Sequence, residues 1–151
     1  MKYTNQIETH MEYLGYIVTR NEDDENILYC SKPGYTPFMV MVDDARVWFY
    51  ADYEVNTIAK CNKDKVFRYV NDLNSNSNAV TFFINGDLLR MSTNYTGNYD
   101  RSMFSAFISQ IEYDVNDLLA SMKETNIYLG DPEQAEYYLQ DNTSNGAWVQ
   151  A

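Results

Sequence analysis

Apolar residues at Tyr3, Ile7, Met11 and Leu14 recur every three to four positions, which places them on one face of a helix over residues 3–14 that Gly15 stops. The period then shortens. Residues 16–20 and 27–31 are rich in β-branched and aromatic side chains around the polar run 21–26, a pattern that predicts two strands joined by an acidic hairpin turn. The loop Pro33-Gly34-Tyr35-Thr36-Pro37 leads into residues 38–42 and 45–52, a second hairpin turning at Asp43-Asp44. Phe38 to Val42 and Val47 to Tyr50 are almost continuously apolar. Such strands are expected to be covered on both faces, or to meet another subunit with one of them.

Val66, Phe67, Val70 and Leu73 form the next helical stripe, over residues 62–74, with Asn62 placed to cap its start. Asn71 and Asn74 sit near its end, where Asn is suited to bonding the last carbonyls. Residues 79–84 and 88–95 flank Asn85-Gly86-Asp87, and Asn85-Gly86 predicts a tight primed turn. Phe104, Phe107, Ile108, Ile111, Val115, Leu118, Leu119 and Met122 then keep helical spacing, so residues 100–123 read as the longest helix, with Phe104 and Phe107 towards the sheet. Gly130-Asp131-Pro132 marks a break and a new helix start, leading into a short acidic helix near 132–140 and a polar tail, 141–151, that carries Trp148.

Helix, four strands, helix, two strands and a long helix imply an α+β domain over residues 1–130, an antiparallel sheet of about six strands with helices packed on it. Residues 131–151 form an appendage whose tail is expected to be dispensable for folding. With 151 residues, 45% of them hydrophobic and 15% aromatic, the chain has apolar area enough for one core.

Charge narrows the function. Twenty-two acidic residues against 11 basic ones leave −11, a field that repels phosphate backbones and anionic lipid. The one dense basic cluster, Lys60, Lys63, Lys65 and Arg68, reads as a solvated helix face. No run approaches the ~20 apolar residues of a membrane span, and the first residues lack the pattern of a signal peptide, so a cytoplasmic protein is expected. Cys30 and Cys61 are then expected to be reduced thiols.

Catalytic patterns are missing. His10 is the single histidine and reads as a surface or helix-flank residue, Cys30 and Cys61 lie far from it, and neither a nucleophile elbow nor a phosphate loop occurs. Acidic pairs such as Asp43-Asp44 and the run 22–25 read as solvated turns. No catalytic residue, metal ligand or cofactor site is therefore assigned.

Val66-Phe67-Arg68-Tyr69-Val70-Asn71-Asp72-Leu73-Asn74, the hairpin Phe82-Phe83-Ile84-Asn85-Gly86-Asp87 and the helix from Phe104 to Leu119 together resemble the YbjN family of bacterial sensory-transduction regulators. Val70, Asn71, Leu73 and Asn74 repeat the family's helix pattern, and Asn85-Gly86 repeats its hairpin. The match covers roughly residues 62–122. The resemblance implies the α+β fold of the type III secretion chaperones, frequent dimerisation, and a regulatory or protein-binding role without catalytic residues.

A non-catalytic, chaperone-like or regulatory module that binds another protein is thus the leading expectation, with Phe38, Val40, Val42, Trp48 and Tyr50 as the candidate contact residues. A twofold homodimer through the same apolar sheet surface is expected beside it. The alternative is an acidic, nucleic-acid-mimicking inhibitor of phage type, and an enzyme working through carboxylates comes third.

Overall fold

The computed structural model describes residues 2–133, so the expected helix near 132–140, save its first two residues, and the tail with Trp148 lie outside the described residues. The first helix, α1 (Thr4–Tyr13), buries Ile7 and Met11 and ends at Gly15. There the chain turns with φ +97°, and Tyr16 N–H bonds back to the Met11 carbonyl. Six strands follow among the described residues: β1 (Ile17–Arg20), β2 (Ile27–Ser31), β3 (Phe38–Val42), β4 (Arg46–Glu54), β5 (Thr81–Asn85) and β6 (Leu88–Thr96). They form one antiparallel sheet in the order β1-β2-β3-β4-β6-β5. Its centre is the long β4–β6 ladder, which runs from Arg46 opposite Thr96 to Glu54 opposite Leu88.

Between β4 and β5 lie α2 (Thr57–Lys60) and α3 (Lys63–Asn76), and after β6 come α4 (Arg101–Glu112), a π-helical stretch (Tyr113–Leu118), α5 (Leu119–Ser121) and α6 (Lys123–Tyr128). All of them pack on one face of the sheet. Leu28, Cys30, Phe38, Val40, Val42, Phe49, Ala51, Leu89, Met91 and Phe82 point into that layer and are buried with Ile7, Met11, Leu73, Phe104, Ile108 and Ile111 in one core. The continuous apolar runs of β3 and β4 therefore do not signal strands covered twice. Burial alternates strictly along β3, buried at Phe38, Val40 and Val42 and partial at Met39 and Met41.

Local details depart from the sequence reading where side chains prefer a partner outside the expected helix end. Asn62 occupies the position before α3 but does not cap it; its amide donates to the Ile58 carbonyl. Asn74 does not bond the end of its own helix either: its Oδ1 accepts from the Phe82 N–H at 2.8 Å and its Nδ2 donates to the Phe82 carbonyl at 2.9 Å. It thereby occupies the backbone pair that a further strand would need at the β5 edge. Asn71 is exposed and does not cap the helix through its side chain. In the β5–β6 hairpin the central residues are Gly86 and Asp87, and only Gly86 has positive φ (+62°), so Asn85 ends the strand and a glycine-first turn closes the hairpin.

The long helix is interrupted. Its π-helical turn swings Asp114 inward, where the carboxylate accepts from Asn78, Ala79 and Val80 N–H at 2.7–3.0 Å. The Val115 carbonyl accepts from Thr36 Oγ1 instead. Met122 is extended and separates α5 from α6. The α2 helix was not expected; Asn56 caps it by accepting from Ala59 N–H, and the same side chain donates to the Ile127 carbonyl in the last turn of α6 and to the Gly130 carbonyl beyond it. Phe107 lies at the margin of the core rather than in it, and Phe67 is 56% exposed.

Candidate functional site

The second face of the sheet carries every strand side chain that alternation turns away from the helices, and all of these are partly or fully exposed. Register aligns them in rows. Thr19, Tyr29, Met39, Tyr50, Ser92 and Thr81 lie opposite one another across all six strands, and Ile27, Met41, Trp48 and Asn94 form the neighbouring row. Part of these rows lines a shallow open groove of about 650 Å³, with Tyr29, Met39, Met41 and Tyr50 as its apolar floor. Trp48 and Tyr50, two residues apart on β4, stack with ring centres 6.1 Å apart and planes 12° from parallel.

Charged groups frame this apolar strip and fix its ends. Arg90 on β6 grips Asp52 on β4 with a two-pronged pair, Nε and Nη2 donating at 2.7 and 3.0 Å. The Arg90 guanidinium holds the Asp52 carboxyl below its usual range. At the other end the Arg46 guanidinium lies over the Trp48 ring, 5.6 Å from its centre, and the Trp48 indole N–H donates to Asp43 at 3.3 Å. Rigid aromatic and flexible methionine side chains, charges confined to the rim and no deep cleft suit docking of another macromolecular surface.

The five residues expected to make contacts do not share a face. Trp48 and Tyr50 belong to the open one, whereas Phe38, Val40 and Val42 are no more than 4% exposed beneath the helices and are core in this chain. Tyr29, Met39, Met41, Asp52 and Arg90 share the open face with Trp48 and Tyr50 and were not singled out from the sequence. The signal was there: once Phe38 is placed inward, period-two alternation turns Met39 and Met41 outward. Gly86 shapes the turn and Asn71 and Asn74 lie on α3, so these three are off this face; Asn85, the last residue of β5, lies at its far corner, outside the groove lining.

His10 is the main correction among the titratable groups. It is only 4% exposed, because the loop after β6 closes over α1, and its ring nitrogens meet the Tyr99 hydroxyl at 2.6 Å and Ser105 Oγ at 2.7 Å. Ser105 and His10 have the spacing of a nucleophile and its base. No carboxylate orients the imidazole, however, and Ser105 sits inside α4, where neighbouring backbone N–H groups are engaged in the helix rather than aimed at a substrate. The trio is a clasp between α1 and α4.

Burial, helped by the Arg101 cation, holds His10 below its ordinary 6.5. The unfolded chain therefore binds this proton more readily than the fold does. Stability should be fully present above about pH 6.5, fall as pH drops through that value, and level off once the folded form also protonates. Urea midpoints between about pH 7.5 and 5.5 check this, and His10→Asn should flatten the slope in that window. An unchanged slope in the variant would show that other groups produce it.

Among the described residues no three His, Cys, Asp or Glu side chains gather as metal ligands, and no helix is long and apolar enough to cross a membrane. Cys30 and Cys61 are both free; burial pushes the Cys30 thiol up to about 12, which leaves it unreactive.

No family model matches the chain, and no curated protein matches it. Its fold does match a solved structure: YbjN from E. coli, described as a proposed transcription regulator, superposes with a TM-score of 0.60 over 76% of this chain and 86% of that one. Identity is 16%, so the likeness lies in the backbone: this chain has a YbjN-like fold.

Proposed function

We propose that the protein is a non-catalytic binding module, regulatory or chaperone-like, that engages another protein through the open sheet face. One observation carries the reading. Among the described residues the six-stranded sheet has its helices on one side only, and the other side presents Tyr29, Met39, Met41 and Tyr50, with Trp48 stacked on Tyr50, as a strip within a charged rim. Exposed apolar strips of this kind mark interaction surfaces. The YbjN neighbour, itself described as a regulator, is compatible with the same role. The nucleic-acid-mimic alternative needs free carboxylates arrayed on one face, and Glu8, Asp52 and Glu112 are each bonded to a cation while Asp114 is buried, so these four are not part of such an array.

In the absence of its partner, the strip pairs with a second copy about a twofold axis. The −11 charge opposes this, yet at physiological salt its reach is about 8 Å, and an apolar contact of standard size outweighs it. Light scattering with column separation over a dilution series should give a dimer mass at tens of micromolar and a monomer for Met39→Glu combined with Trp48→Thr. A wild-type monomer throughout would exclude self-pairing and leave the strip to a different protein alone.

A further inference from the structure

A second groove lies on the helix side, between the α2–α3 turn and the β5–β6 hairpin. It has a volume of about 530 Å³, with Val55, Ala59, Val66 and Ile84 as its walls and Phe67 at its lip. Phe67 is 56% exposed, although it belongs to the apolar stripe that folds the rest of α3 onto the sheet. Its side chain therefore adds little to the core. Lys60 and Lys63 line the same groove. They begin the sequence cluster Lys60, Lys63, Lys65 and Arg68, which Asp64 interrupts; of the four, Lys60 and Lys63 line the groove. A concave apolar site with an exposed aromatic and two lysines at its edge has the make-up of a hot spot with a charged rim.

We infer that this groove is a second docking site, distinct from the open sheet face, for an acidic segment of a partner protein that inserts an aromatic or leucine side chain beside Phe67. Carboxylates of that segment would reach Lys60 and Lys63. The protein's own net charge turns away long polyanions such as nucleic acid, whereas a short segment needs only the local field. Asp87 is the one acidic residue lining the groove, and Lys60 meets it at 3.9 Å with both side chains well exposed, a pair weak enough to yield to an incoming carboxylate. Removing that aspartate should favour the occupant.

The test uses the full chain and a labelled peptide of about twelve residues, rich in Asp and Glu with a central Phe and Leu, read by fluorescence anisotropy. Binding is expected, weakening with added salt, and is not expected when the peptide's acids are replaced by Lys. Phe67→Ser and the pair Lys60→Glu/Lys63→Glu should each weaken it about tenfold or more, Asp87→Asn should strengthen it, and Met39→Glu with Trp48→Thr should leave it unchanged. All the groove substitutions fall on exposed side chains, so unaltered melting temperatures are expected and separate lost binding from lost folding. Equal binding of both peptides, or wild-type affinity in the Phe67 and lysine variants, would overturn the inference. Loss confined to the Met39/Trp48 variant would move the peptide to the sheet face and overturn it equally.

Discussion

Phe104→Ala should lower the free energy of unfolding by about 3–5 kcal/mol, the cost of losing a buried ring and leaving its cavity behind. Phe104 has no exposed surface, and four rings surround it: His10 at 4.9 Å, Tyr95 at 5.4 Å, Tyr99 at 5.8 Å and Phe49 at 6.1 Å between centres. These come from α1, β6, the following loop and β4, so no single neighbour can move in without leaving its own element. Phe107, one helical turn on, meets Phe49 and Tyr95 as well but is only partly buried, and its alanine variant should cost clearly less. Denaturant midpoints of the two variants decide it. A Phe104 loss below about 1 kcal/mol would mean that this ring is not central to the core.

Asp114→Ala should cost about 3 kcal/mol or more, by a different route. The carboxylate is wholly buried and accepts from the backbone of three successive residues, Asn78, Ala79 and Val80, the loop that leads into β5. Deleting it strands those N–H groups away from water, and each unsatisfied donor carries its own desolvation cost. Asp114→Asn keeps the shape and one acceptor oxygen but turns an N–H₂ towards donors, so a large part of the loss should remain. Urea unfolding of both variants is the check; a loss under about 1 kcal/mol for alanine would show that water or a loop shift replaces the carboxylate.

The order of helix, four strands, helix, two strands and helix was legible in the sequence, as were the three hairpins, because they follow from β-rich runs around turn residues and from three-to-four spacing in α1, α3 and α4; the β2–β3 and β4–β6 pairings were not. What stayed hidden depends on long-range partners. Asn74 looked like a helix cap because nothing local reveals that β5 returns beside it, and His10 looked exposed because the loop that buries it arrives 89 residues later. The π-helical turn exists to aim Asp114 at a distant loop, and no propensity encodes that. The candidate face was half legible: Trp48 and Tyr50 belong to it, but summing apolar character along β3 without its parity drew in Phe38, Val40 and Val42, which the helices cover.

The central claim, that the open sheet face binds a protein, is tested most directly by affinity purification from the source cell, comparing the wild-type chain with the Met39→Glu/Trp48→Thr variant. Mass spectrometry should find one partner held in stoichiometric amount by the wild type and lost by the variant, while circular dichroism and melting temperature of the two chains agree. Retention of the same partner by a fully folded variant would contradict the claim.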